Sequence, residues 1–235
     1  FSYKEIEKDG FKISEKIFMK INGPDEISWS KSLGLLSMQL PDVFNRLNID
    51  LLLIAGDRAE TLTAAKSAYY SDIPIAHIQA GELSGHKDGM ARHAIGKLSH
   101  IHFASNHDAA NRLKRFGEQD FRIHMVGAPQ LDDIIPTKIY SKLVIEKRLG
   151  IKLSKKYALC IVHPTSEEIK ECIDYISWID KACIKVGLQQ IWIYPNNDVG
   201  SKEIVDKIDL IKKNNTFSFR NLNRLTYLSL LKNSK

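Results

Sequence analysis

Short apolar runs alternate with helical segments along most of this chain, and that alternation restricts the fold more than any other feature. The runs at 50–55, 73–78, 100–104 and 122–126 each have the length of a buried strand. The stretches 60–70, 89–99 and 108–116 between them read as helices, the last closed by Gly117 as a C-cap. A helix over 28–47 precedes the first strand. Strands that alternate with helices predict a parallel sheet covered by helices. The pattern breaks between 131 and 155, a polar, charged bridge that contains Pro136. It then restarts with strands at 157–162, 190–194 and 216–219 and helices at 167–186, 202–212 and 225–232. The fold class expected is therefore α/β with two parallel-sheet domains, 1–136 and 137–235. The chain begins at Phe1 and its second alternation stops after a helix, so both ends are expected to continue into further strand and helix units.

Composition removes several alternatives. Hydrophobic residues make up 43% and charged residues 26%, which is ordinary for a globular protein and excludes disordered or collagen-like readings. The longest apolar run, 51–56, is far shorter than a membrane span, so no membrane partner is expected. Cys160, Cys172 and Cys183 are odd in number, form no CxxC and sit among apolar residues. They read as reduced core thiols of a cytoplasmic protein. The net charge of +6 favours an anionic ligand. The basic residues form no aromatic-interleaved stripe, so nucleic acid is not an expected partner.

In open α/β sheets ligands bind beyond the carboxyl ends of the strands. Gly56-Asp57-Arg58 follows the first strand, and the long segment from Gln79 through Glu82 to Asp88 follows the second. His163-Pro164-Thr165-Ser166 and Pro195-Asn196-Asn197-Asp198 follow strands of the second domain. Each has a plainer structural reading beside the functional one. Asp57 and Asp88 suit N-caps of the helices that follow. Arg58 has Asp57 and Glu60 as ion-pair partners, Glu82 suits a solvated turn, and His163 suits a satisfied core histidine. Asn196 lies in a stretch with turn composition. It is the recurrence of carboxylate, His, Arg and amide groups at four strand ends that points to a site.

Seven of the eight histidines lie between His77 and His124, which invites a zinc reading. No HExxH occurs and no cysteine falls in that window, so no metal is expected. No GxGxxG or GxxxxGK[ST] loop follows any strand, which argues against a dinucleotide held in the usual manner.

The segment Ala55-Gly56-Asp57-Arg58-Ala59-Glu60 resembles the GDRxE segment of the hydrolysing UDP-N-acetylglucosamine 2-epimerases of the sialic and legionaminic acid type. His77-Ile78-Gln79-Ala80-Gly81-Glu82, then Asp88, then Arg92-His93-Ala94-Ile95-Gly96-Lys97 resemble the family's HIEGGE…D…RHAITK block. His163-Pro164 and Pro195-Asn196-Asn197-Asp198-Val199-Gly200-Ser201 resemble its second-domain segments. The likeness runs from about residue 50 to the last residue. It implies two Rossmann-like domains in a GT-B-like arrangement, with a UDP-sugar in the interdomain cleft. It implies anti elimination of UDP to a glucal, then water addition to release the C2-epimerised free sugar, for example N-acetylmannosamine, without cofactor. A non-hydrolysing epimerase or other GT-B transferase, and a non-catalytic UDP-sugar-binding protein, stand as alternatives. By family position Asp57 and Asp88 are the proton-transfer carboxylates, and His163 lies by the leaving group or the glucal as acid or electrostatic partner. Arg58, Arg92 and His93 bind UDP or hold the carboxylates, and Asn196 helps to bind uridine or shapes the edge of the second domain. A homodimer or homotetramer is implied.

One departure stands out. The family commonly has Glu where this chain has Gln79, and an amide is no general base. Asp57, Asp88 or Glu82 then carries that role, or the sugar is a modified one, or the chain is impaired. The GxRxE/D strand end and the GNSSSG phosphate loop of the family have no counterpart here. They are expected before Phe1 and after Lys235.

Overall fold

The computed structural model describes residues 3–22, 26–132, 134, 138–163, 169–195, 200–213 and 215–234. The chain divides into two compact units, 1–132 and 133–235.

The first unit is a four-stranded parallel sheet in sequential order: β1 (Leu52–Ala55), β2 (Ile75–Ile78), β3 (Ile101–Ala104) and β4 (Ile123–Met125). A short α1 (Tyr3–Lys8), which the sequence did not suggest, and the long α2 (Glu26–Leu47) precede it. The connecting helices are α3 (Ala59–Tyr69), α4 (His86–Leu98) and α5 (His107–Arg115). In α2 the buried residues Ser32, Leu36, Leu40, Val43 and Phe44 recur at helical spacing. That stripe joins Ile54, Ala65, Ala68, Ile75 and Ile95 in one core.

A second cluster, Ala80, Ala104, Ala109, Ala110 and Leu113, fills the carboxyl end of the sheet. These small side chains let α5 lie close. At Gly81, where φ is +75°, a Cβ would sit 2.4 Å from the Ala109 carbonyl oxygen, so only glycine fits this contact. Helix α4 starts three residues before the expected 89. The glycine that reads as a helix start lies inside the first turn. A Cβ on Gly89 would meet the Ser84 carbonyl oxygen at 2.5 Å, and its absence lets that turn close on the preceding loop. The N-cap positions are Arg58 for α3 and Gly85 for α4, so neither Asp57 nor Asp88 is the N-cap of the helix that follows it.

The second unit holds the parallel sheet β5 (Tyr157–Ile161), β6 (Gln189–Ile193) and β7 (Thr216–Phe219). Helices α6 (Lys142–Leu149), α7 (Ile169–Val186), α8 (Ser201–Ile211) and α9 (Arg224–Asn233) accompany it. Successive β6 residues face opposite ways. Trp192 joins Cys160, Cys172, Ile176, Ile204 and Ile208. Ile191 joins Ile145, Leu153, Tyr157 and Leu230. The buried Gln190 is paired: it donates to Asp180 at 2.7 Å and accepts from the Trp192 indole at 2.9 Å. All three cysteines are buried free thiols, and burial pushes the Cys160 thiol up to about 12, as expected of inert core thiols. Among the described residues no helix is long and apolar enough to cross a membrane.

Candidate active site

At the carboxyl ends of β1 and β2 the chain assembles a cluster around one buried guanidinium. Arg92, on α4, donates from Nη2 to Asp57 Oδ2 at 2.6 Å and from Nη1 to the Gln79 carbonyl oxygen at 2.7 Å. Its Nε and Nη2 reach the Ser84 hydroxyl oxygen at 3.2 and 3.0 Å. Ser84 in turn donates its hydroxyl hydrogen to Asp57 Oδ2. Burial by itself would push the Asp57 carboxyl up. The hydrogen bonds from Ser84 and Arg92, with the Arg92 charge, outweigh it and hold Asp57 below the usual carboxylate range. Asp57 is thus an ionised, immobilised counter-ion.

Its backbone is braced from behind. His77 is fully buried in β2, and its Nε2 lies 2.7 Å from the Gly56 carbonyl oxygen. Burial lowers this imidazole to about 4, so at neutral pH it is uncharged and Nε2 carries the proton that Gly56 accepts. One strand over, His102 contacts Glu118 at 3.2 Å, and Lys97 pairs with Glu118 at 2.6 Å, which ties α4 to the end of α5.

Glu82 is held differently. Its Oε1 accepts from the Ser105 hydroxyl. Its Oε2 lies 3.5 Å from the Gln79 amide nitrogen and 3.6 Å from Arg92 Nη1. Gln79 adopts φ +61°, a left-handed conformation that costs a non-glycine residue about 1 kcal/mol and clusters at functional sites. Glu82 lines a cleft of about 240 Å³ together with Leu83, Asn106, Asp108, Ala109 and Arg112. Arg112 shapes one wall, donating to the Gly81 carbonyl oxygen at 2.6 Å and pairing with Asp108.

The structure therefore brings Asp57, Gln79, Glu82 and Arg92 together. Asp88 is exposed in the first turn of α4, where a carboxylate suits the helix dipole. The His93 ring lies against Phe116, with centroids 4.5 Å apart. Burial, then the Arg112 and Arg92 charges, keep it below the ordinary imidazole range. Arg58 occupies the extended N-cap position of α3. In the second unit His163 is exposed just beyond β5, its carbonyl oxygen 3.8 Å from Cys172 Sγ. Asn196 lies outside the described residues. Among the described residues no group of three or more His, Cys, Asp or Glu side chains converges as a metal site requires.

Sequence reasoning missed Ser84, Ser105 and Asn106. Ser105-Asn106 follows β3 directly, so the rule that led to Asp57 and Gln79 at the ends of β1 and β2 also points here. Ser84 has no comparable signal. It stands out only because Arg92 and Asp57 converge on its hydroxyl.

Two parallel-sheet α/β units, with a polar cluster at the strand ends of the first, belong to the class of folds that GT-B-like proteins share. The solved structure of UDP-GlcNAc 2-epimerase from Neisseria meningitidis bound to UDP-GlcNAc superposes with a TM-score of 0.75 at 21% identity, covering 91% of this chain and 60% of that one. The UDP-N-acetylglucosamine 2-epimerase family matches residues 1–235, and this chain belongs to it. Among curated relatives it is 35% identical, over 98% of its length, to a Legionella pneumophila protein described as UDP-N,N'-diacetylbacillosamine 2-epimerase (hydrolyzing). It is 33% identical, over its full length, to the GDP/UDP-N,N'-diacetylbacillosamine 2-epimerase (hydrolyzing) of Campylobacter jejuni. The chain spans 61% and 62% of those two relatives.

Proposed function

We propose that the protein is a hydrolysing UDP-sugar 2-epimerase that acts on UDP-GlcNAc or a 2,4-diacetamido-trideoxy relative. A carboxylate takes the C2 proton, and the C2–H electron pair becomes the C1=C2 bond of a glucal. The C1–O bond to the diphosphate breaks, and its electron pair leaves with UDP. Water then adds its oxygen at C1 while a proton returns to C2 on the opposite face. The products are UDP and a free sugar of inverted C2 configuration, N-acetylmannosamine in the simplest case. The observation that carries this reading is the Arg92-centred cluster of Asp57, Ser84, Gln79 and Glu82, within a chain whose relatives are described as hydrolysing epimerases. A C2 proton is weakly acidic, so its removal needs both an aligned carboxylate and cations that favour departure of the diphosphate. In this reading Asp88 or Glu82 serves proton transfer, Asp57 fixes the Arg92 guanidinium and His163 serves the leaving group. Arg58, Arg92 and His93 hold phosphate or the carboxylates, and Asn196 holds uridine. No metal or redox cofactor enters any step.

The test incubates the full-length protein in D2O with UDP-GlcNAc and, separately, with UDP-2,4-diacetamido-2,4,6-trideoxyglucose. Release of UDP with a free sugar that carries one deuterium at C2 is expected. A nucleotide-linked epimer would indicate the non-hydrolysing reaction instead, and no release from either sugar would overturn the reading. Gln79 favours one second reading, a UDP-sugar-binding protein without turnover. That reading requires saturable UDP binding and no deuterium at C2.

A further inference from the structure

We infer that Ser105 is a positioning residue for Glu82, and that Glu82 is the carboxylate of this cluster that exchanges a proton with the sugar. This deepens the epimerase reading and rests on it. Asp57 and Glu82 both approach Arg92, but they are bound unequally. Asp57 Oδ2 takes Nη2 of Arg92 at 2.6 Å as well as the Ser84 hydroxyl, so a proton there would displace a short ionic bond. Glu82 stands 3.6 Å from Nη1 and opens onto the cleft. Its firm partner is a neutral hydroxyl.

The direction of that hydroxyl is set by α5. Asn106 is the N-cap residue, and its Oδ1 accepts from the Ala109 backbone N–H at 2.9 Å. Its Nδ2 therefore faces Ser105 and donates to Oγ at 3.3 Å. With a lone pair of Oγ occupied, the Ser105 hydrogen is left for Glu82 Oε1. A helix cap thus orients a hydroxyl, and the hydroxyl fixes one carboxylate oxygen. The other oxygen, Oε2, is more loosely held, 3.5 Å from the Gln79 amide nitrogen and 3.6 Å from Arg92 Nη1, and it takes the C2 proton as the electron pair of that bond forms C1=C2 and UDP departs. The charged groups around Glu82 are Arg92 from α4, Asp108 and Arg112 from α5, and Asp57 on the opposite nitrogen of Arg92.

The test compares the full-length wild type with Ser105→Ala, Ser105→Thr and Glu82→Gln. Glutamate labelled with 13C at Cδ reports the Glu82 carboxyl directly, assigned by its loss in Glu82→Gln, and needs no turnover. In Ser105→Ala the chemical shift of that resonance is expected to change, because Oε1 loses its hydroxyl donor. kcat for UDP release is expected to fall at least about tenfold, with KM changed less than about twofold. Ser105→Thr, which keeps the hydroxyl, restores both. An unchanged Glu82 resonance in Ser105→Ala overturns the positioning role. A changed resonance with an unchanged kcat, or a fully active Glu82→Gln, overturns the proton-transfer role of Glu82. A wild type that releases no UDP removes the epimerase reading, while the resonance still tests the Ser105–Glu82 contact.

Discussion

Replacement of Arg92 by Met removes the hub of the cluster and nearly preserves side-chain length. Arg92 is 6% exposed, and the Asp57 side chain it pairs with retains 17%. Breaking a buried ion pair by removing one partner costs about 3–5 kcal/mol. Residual access of solvent to Asp57 screens part of that, which places the expected loss near the lower end, about 3 kcal/mol. The Gln79 carbonyl oxygen loses its 2.7 Å donor at the same time. A loss of that size lowers the folding equilibrium constant of the first unit about a hundredfold and its melting midpoint by roughly 10 °C. The pH dependence carries a definite sign. Asp57 is depressed in the folded state, so its stabilisation is fully present above the unfolded carboxylate value of about 4. It is lost as pH falls through the lower folded value. In Arg92→Met the carboxyl keeps its burial and loses its cation, so it protonates earlier. The gap between wild type and variant is therefore constant where both carboxyls are ionised and narrows as pH falls from the variant's higher folded value toward the lower one of wild type. Hydrogen exchange of β2 and α4 amides, read by mass spectrometry in the full chain, follows the first unit without assuming a single transition for both units. Arg92→Lys keeps the charge but presents one nitrogen where three are used, and about 1–2 kcal/mol of loss is expected. A gap under about 1 kcal/mol at pH 7 for Arg92→Met, or one equal at pH 7 and 3.5, refutes this account of Asp57 and Arg92.

Further outcomes follow from the packing. Gly81→Ala combines φ +75° with a 2.4 Å approach to the Ala109 carbonyl oxygen. A loss of at least about 2 kcal/mol is expected, against a few tenths for an ordinary surface change, and urea unfolding by circular dichroism measures it. Tyr157 donates its hydroxyl to the Leu230 carbonyl oxygen at 2.6 Å in a buried setting. Tyr157→Phe is expected to cost about 1–2 kcal/mol in the second unit by the same measurement. In the wild type an ultraviolet titration should find this phenol, pushed up to about 12 by burial, ionising after the exposed tyrosines. His77 is lowered from 6.5 to about 4, so the unfolded chain binds more protons in that interval and folding weakens as pH falls through it. Between pH 6.5 and 5 the first unit should lose about 2 kcal/mol through His77. His77→Asn should flatten that slope, and an unchanged slope would contradict the assignment.

The arrangement of strands was legible in the chain because each strand is a short, largely apolar run, interrupted in β2, β3 and β4 only by a histidine, and the helices between them repeat at a different period. Glycines misled where their cause was tertiary. Gly89 reads as a helix start, yet it lies inside the first turn of α4 because the Ser84 carbonyl leaves no room for a Cβ. Asp57 and Asp88 have cap composition, but they sit off the cap positions, and Arg92 draws Asp57 inward.

By itself the amino-acid order determined the α/β class, the break between two alternations and the strand ends where polar groups gather, since these depend on local period and burial. Tertiary structure alone decided how those groups divide their work. Whether a carboxylate is locked or available depends on which donors reach it across 35 residues from Arg92 to Asp57 and 23 from Ser105 to Glu82. No local pattern encodes such distances. The same packing left Asp57 neutralised by a guanidinium and Glu82 held by a hydroxyl at the mouth of a cleft.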